Sequence, residues 1–160
     1  MVNPGIPIKS VKDLIALAKA KPGELNYASG PLGASPHLAG ELFKYMTGAN
    51  IVHIPFKGVG LAVNDVIAGH INMITMGPSI ALPTVRAGKL KMLGFGSLQR
   101  MPQFPEIPAI AETVPGYEAA VSFGLFAPKG TQRNILIKIN ADIQKVINDP
   151  EFRKRFLESL

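Results

Sequence analysis

The residues best suited to chemistry in this sequence lie in the segment SGPLGASPHL, residues 29–38. A glycine turn that opens into a helix leaves backbone N–H groups without intrahelical acceptors and sets the positive end of the helix dipole beside them. That arrangement takes a carboxylate or a phosphate. The preceding LNYA, residues 25–28, reads as a strand, Ser35 as the N-cap and Pro36 as the first helical residue. The candidate donors are the backbone of Gly30, Gly33 and Ala34 with the hydroxyls of Ser29 and Ser35, and His37 sits in the first helical turn. Taken alone, the same pattern also describes an ordinary strand-to-helix connection.

The elements that must position this turn form a repeating series. Residues 3–8 are extended, and Ser10 caps a first amphipathic helix that stops at Lys21, Pro22 and Gly23. Leu38, Leu42, Phe43 and Met46 recur at helical spacing after the turn. A strand at residues 51–55 then runs into the loop Phe56, Lys57, Gly58 and a helix over 61–68, closed by Gly69. A third unit follows, with a strand at 71–75, the turn Gly77, Pro78, Ser79, a helix to a stop at Gly88, and a strand at 91–95. Ser79 is expected to cap that helix and retains a hydroxyl donor. Alternating strands and helices predict an α/β fold with a mostly parallel sheet and flanking helices, whose ligands sit outside the carboxyl ends of the strands.

Beyond these units, residues 97–108 form a proline-rich surface loop followed by a short helical piece at 109–113. Residues 118–127 read as a strand, 128–131 lead into a long helix with the apolar stripe Ile135, Leu136, Ile139, Ile143, Val146 and Ile147, and Asp149 with Pro150 starts another short helix. A stripe of that strength needs a covering surface, and self-association through this helix is one expectation.

Composition narrows the function classes. The 160 residues suit one ordinary core, and the charge of +6 is scattered rather than clustered with aromatics, which favours small anions over nucleic acid. With no cysteine, disulfides and thiolate metal sites are excluded. His37, His53 and His70 are separated by whole elements and lack a carboxylate at ligand spacing, so no metal and no cofactor is expected. No Gly-x-Ser-x-Gly elbow is present, and the glycine turns lack the Gly-Lys-Ser/Thr ending of a phosphate loop. Tyr27, Phe56 and Phe123 read as packing residues. An α/β enzyme acting on an anionic metabolite is the rival reading, and it requires a titratable pair drawn from Glu41, Asp65 or Glu112.

Several phrases together resemble the periplasmic solute receptors of tripartite tricarboxylate transporters, the Bug family. They include VKDLIALAKA (11–20), LNYAS (25–29), HLAGELFK (37–44), HIPFKG (53–58), AGKL (87–90), PEIP (105–108), PGYE (115–118) and FGLFAP (123–128). The resemblance implies a two-lobed, type II periplasmic-binding-protein-like clamshell that closes on a small di- or tricarboxylate or related organic acid. It further implies a non-catalytic, periplasmic role and delivery of the acid to membrane permease subunits. On that plan residues 1–8 are an incoming crossover segment, 9–121 the second lobe, and 122–160 a returning crossover strand with helices of the first lobe. The rest of the first lobe and a signal peptide fall outside this sequence. Ligand-facing positions carried over are Ser29, Gly30, Gly33, Ala34, Ser35 and His37 in the first loop and Phe56, Lys57 and Gly58 in the second. The third loop departs from the family, since Gly77 stands where many relatives have an acidic or amide residue.

Overall fold

The computed structural model describes residues 1–121 and 124–158 and divides the chain into two compact units, Met1–Val121 and Ser122–Leu160. Phe123, one of the expected packing residues, lies outside the described residues.

The first unit is built on three short parallel strands, β1 (Asn26–Ser29), β2 (Val52–Pro55) and β3 (Met73–Ile74), in the order β2-β1-β3. Helices α1 (Val11–Ala20), α2 (Ser35–Thr47), α3 (Val59–Ile67) and α4 (Pro78–Arg86) surround them. Alternation along β1 decides the layering. Tyr27 packs into one core with Val11, Leu14, Phe43, Met73 and Tyr117, whereas Ala28 joins Ala62, Val63, Val66 and Ile74 in the other. A period of two thus commits the sheet to α1 and α2 on one face and α3 on the other.

Start and stop signals account for most boundaries. Ser10 Oγ accepts from Asp13 N (3.1 Å) to cap α1 as expected, and Gly48, at φ 66°, closes α2. Asn26 and Asn72 exchange backbone-to-side-chain hydrogen bonds of 2.9 and 2.8 Å, pinning the start of β1 beside β3. The chain enters through Val2, which bridges both Met73 and Lys91, and Asn3 Nδ2 caps the end of α3 by donating to Val66 O at 2.7 Å.

Several expected elements differ. Residues 91–95 do not form a strand: Lys91 makes an isolated bridge with Val2, where Pro4 turns the segment of residues 1–8 away after one residue of ladder, and Phe95 makes another with Ala109. No strand forms over the described part of 118–127, where the single backbone bond from Ala119 N to Gly96 O (2.8 Å) replaces a ladder. The helix expected from 61 begins at Val59, and the piece near 110 is a 3₁₀ turn, Ile110–Glu112. Arg100 and Glu112 lock that turn through two 2.8 Å hydrogen bonds. The Arg100 guanidinium, with the Ala109 N–H, holds the Glu112 carboxyl at about 2.

The second unit contains α5 (Arg133–Asn148) and α6 (Pro150–Glu158). Asp149 Oδ1 accepts from Phe152 N (2.8 Å) to start α6. Ile135, Leu136, Ile139, Val146 and Ile147 of α5 are exposed, as are Leu125 and Phe126 before it.

Gly40 governs how closely α2 approaches the sheet, since a Cβ built there meets the Tyr27 ring at 2.3 Å. We expect Gly40→Ala to lower stability by about 1–3 kcal/mol in urea denaturation, because the overpacking outweighs alanine's helix propensity. Gly60→Ala, with nothing within 4 Å of the added carbon, serves as the comparison. Equal midpoints for the two variants would show that the ring yields freely.

Candidate functional site

Because β1 pairs in parallel with both neighbours, the three turns that follow the strands emerge at one edge of the sheet. Phe56 N donates to Ser29 O (3.1 Å) and Thr75 N to Ala28 O (3.3 Å), so the backbone pairing continues to the mouths of the second and third turns. Helices α2, α3 and α4 all start there, with Ala34, Gly58 and Gly77 as N-caps. None of the three has a side-chain cap, in contrast to α1. First-turn N–H groups of three helices are therefore gathered at one edge without a side-chain acceptor, and their dipoles add there.

Two expected caps are corrected. Leu38 N donates to Ala34 O (3.0 Å), so α2 begins one residue early, with Ser35 as its first residue and Pro36 as its second. In the same way Ile80 and Ala81 donate to Gly77 O, which makes Gly77 the cap and leaves Ser79 as an exposed second residue of α4. Both hydroxyls are released from capping. Gly33, at φ 80°, supplies the turn's left-handed residue. Gly30 is buried and Ala34 half-buried, Phe56 and Gly58 are half-buried, and Lys57 is exposed.

Beneath the first turn lies a polar network that sequence reading did not assemble. Ser29 is fully buried, and its hydroxyl donates to Gly30 O (3.0 Å) while lying 2.7 Å from His53 Nε2. With its one hydrogen on Gly30 O, Ser29 Oγ accepts from a His53 Nε2–H. His37 Nδ1 accepts from Gly33 N (3.0 Å), so His37 satisfies the turn's backbone. The His37 and His53 rings are tilted against each other with centroids 4.4 Å apart, and the Tyr27 ring lies 4.7 Å from that of His53. The missing signal was register: Tyr27 is paired directly with His53 across β1 and β2. Tyr27 Oη in turn donates to Glu41 Oε1 (2.7 Å), which Lys44 Nζ also reaches at 2.8 Å.

Burial and the Glu41 carboxylate both push the Tyr27 phenol upward. Burial raises Glu41, but hydrogen bonds from Lys44 and Tyr27 outweigh it and leave the carboxyl below its ordinary value. Glu41, Asp65 and Glu112 do not converge, being engaged separately with Tyr27 and Lys44, with His70 and with Arg100. Among the described residues no cluster of three or more His, Asp or Glu has the arrangement of a metal site.

A match to the Tripartite tricarboxylate transporter family receptor runs over residues 1–159. The chain belongs to that receptor family. It is 37% identical over 148 residues to Protein BugT of Bordetella pertussis, covering 92% of this chain and 45% of that protein. Among solved structures, this receptor-family chain is similar to one from R. palustris described as Rpa4515 with adipate, at 33% identity and a TM-score of 0.90, over 99% of this chain and 53% of the other. A second, described as a periplasmic transporter, shares 33% identity at a TM-score of 0.83 over the same 99% and 53%. The chain thus spans about half the length of these relatives. Its α/β, periplasmic-binding-protein-like fold with a parallel sheet and flanking helices is the one expected from the sequence.

Burial, and then the neighbouring His37, hold the His53 imidazole below its ordinary value of 6.5. The unfolded chain therefore binds this proton more readily than the folded one. The resulting contribution to stability is full above pH 6.5 and is lost as the pH falls toward the folded-state value. Urea midpoints measured from pH 7.5 to 5 should fall with acidification, and His53→Asn should flatten that limb. An unchanged slope in the variant would remove His53 from the account.

Proposed function

We propose that this chain is the greater part of one lobe of a non-catalytic solute receptor, and that its three-turn edge binds one carboxylate of a small organic acid. The carrying observation is the convergence of three helix N-termini without side-chain caps on a single sheet edge. Family membership and the likeness to a structure described with adipate support the choice of a carboxylate.

In this reading the backbone N–H groups of Ser35 and His37, with those of Gly58 and Ser79, face the anion, since those of Gly33 and Ala34 are taken by His37 Nδ1 and Pro31 O and Pro36 has none. The released hydroxyls of Ser35 and Ser79 add donors, and Lys57 adds long-range attraction. Phe56 and Gly58 shape the second turn, while Gly30 and the buried Ser29 hold the first from behind. Charge-assisted hydrogen bonds of this type gain strength when water is excluded, as closure of a two-lobed receptor over its ligand does. Residues 1–8 serve as the incoming crossover, 9–121 as the second lobe, and 122–160 as a returning segment with helices of the first lobe. The complete receptor works in the periplasm and presents the bound acid to membrane permease subunits.

Titration of isotope-labelled protein with adipate at fixed ionic strength tests the reading. Saturable amide shifts should concentrate at Ser35 and His37, at residues 56–58 and at Ser79. Lys57→Ala should weaken binding by no more than about fivefold, the scale of an exposed ion pair, because backbone donors supply most of the contact. Scattered, non-saturating shifts would overturn the proposal. Separately, the exposed apolar face of α5 supports self-association. Light scattering should show a mass that rises with protein concentration, and Ile139→Lys should suppress the rise; a monomer at all concentrations would exclude it.

A further inference from the structure

We propose that the acid bound at this edge carries an apolar body, an aliphatic or aromatic chain, in preference to a hydroxylated polyacid. This rests on the carboxylate reading above and adds the class of ligand. Four large apolar side chains are exposed in the turn and first helical turns that meet there: Leu32 at 68%, Leu38 at 57%, Leu61 at 62% and Ile80 at 43%. A lone exposed leucine carries no information. These four come from three separate strand-to-helix connections, and the parallel pairing of β1 with β2 and β3 brings those connections to one edge.

The polar side chains of the same segments point to the same conclusion. Residues 29–38, 56–61 and 75–81 contain no carboxylate and no side-chain amide. Of their hydroxyls, Ser29 is buried and donates to Gly30 O, and Thr75 Oγ1 donates to Pro36 O at 2.6 Å. That leaves Ser35 and Ser79 as the uncommitted hydroxyls of these three segments. Away from those two hydroxyls, a ligand hydroxyl removed from water beside leucine side chains loses its hydrogen bonds without replacement, whereas a methylene group placed there gains from burial. The edge thus combines anchoring of one carboxylate by backbone N–H groups with an apolar surround for what the carboxylate is attached to.

The full chain, labelled at backbone amides and at Leu and Ile methyls, is titrated with acetate and hexanoate, and then with succinate and malate, at matched ionic strength. Hexanoate should bind at least about tenfold more tightly than acetate, with methyl shifts at Leu32, Leu38, Leu61 and Ile80. Succinate should bind at least as tightly as malate. The double variant Leu32→Ser, Leu61→Ser should bring the hexanoate-to-acetate ratio toward one, with an amide spectrum otherwise matching that of the parent chain. Equal affinities for acetate and hexanoate, tighter binding of malate, or hexanoate shifts confined to α5 would overturn the ligand class while leaving carboxylate binding intact. Absence of saturable shifts at the edge with every acid would overturn both.

Discussion

Everything at the candidate site depends on β1 being paired in parallel on both sides. A parallel neighbour cannot be reached by a tight hairpin, so each strand must be followed by a turn, a helix and a return, and each of those turns leaves the sheet at the same end. Had either neighbour run antiparallel, one helix N-terminus would lie at the opposite edge and the dipoles would no longer add. The strands themselves are only two to four residues long. Side-chain devices supplement their short ladders: the reciprocal Asn26 and Asn72 bonds, the Asn3 cap on α3, and the contact between Tyr27 and Gly40.

The first turn shows how this framework is made specific. Gly33 turns the chain, but the imidazole of His37 accepts the Gly33 N–H and so fixes which way the peptide faces. Behind it, His53 and Ser29 fill the space with hydrogen-bonded polar atoms, and among the described residues no buried side-chain nitrogen or oxygen is left without a partner. The polar network is satisfied inside the fold, while the backbone donors of the helix starts are left to the outside. A site built from main chain is difficult to abolish by exchanging a side chain, because the donors survive in any residue except proline.

The sequence revealed the helices and glycine turns because caps, breakers and apolar spacing are local signals. Ser10 could be read within one turn of helix, and the stripe of α5 from the spacing along that one helix. Two kinds of feature were hidden. The positions 91–95 and the described part of 118–127 have the composition of strands, but a strand exists only where a neighbour offers a ladder, and composition does not report the neighbour. The meeting of Tyr27, His37 and His53 depended on pairing register between segments more than twenty residues apart, whereas the helix starts at Ala34 and Gly77 depended on which carbonyl took the first intrahelical bond. At Ser35 and Ser79 residue preference pointed to capping, and the backbone bond settled the matter otherwise, which is why both hydroxyls remain uncommitted.

Val2 offers a last point about how this unit is held. It exchanges backbone bonds with Lys91, while Asn3 N donates to Asn72 O and Asn3 Nδ2 grips the end of α3. These attachments come from two adjacent residues, so a displacement of either would be passed directly to β3 and α3, the elements that border two of the three turns.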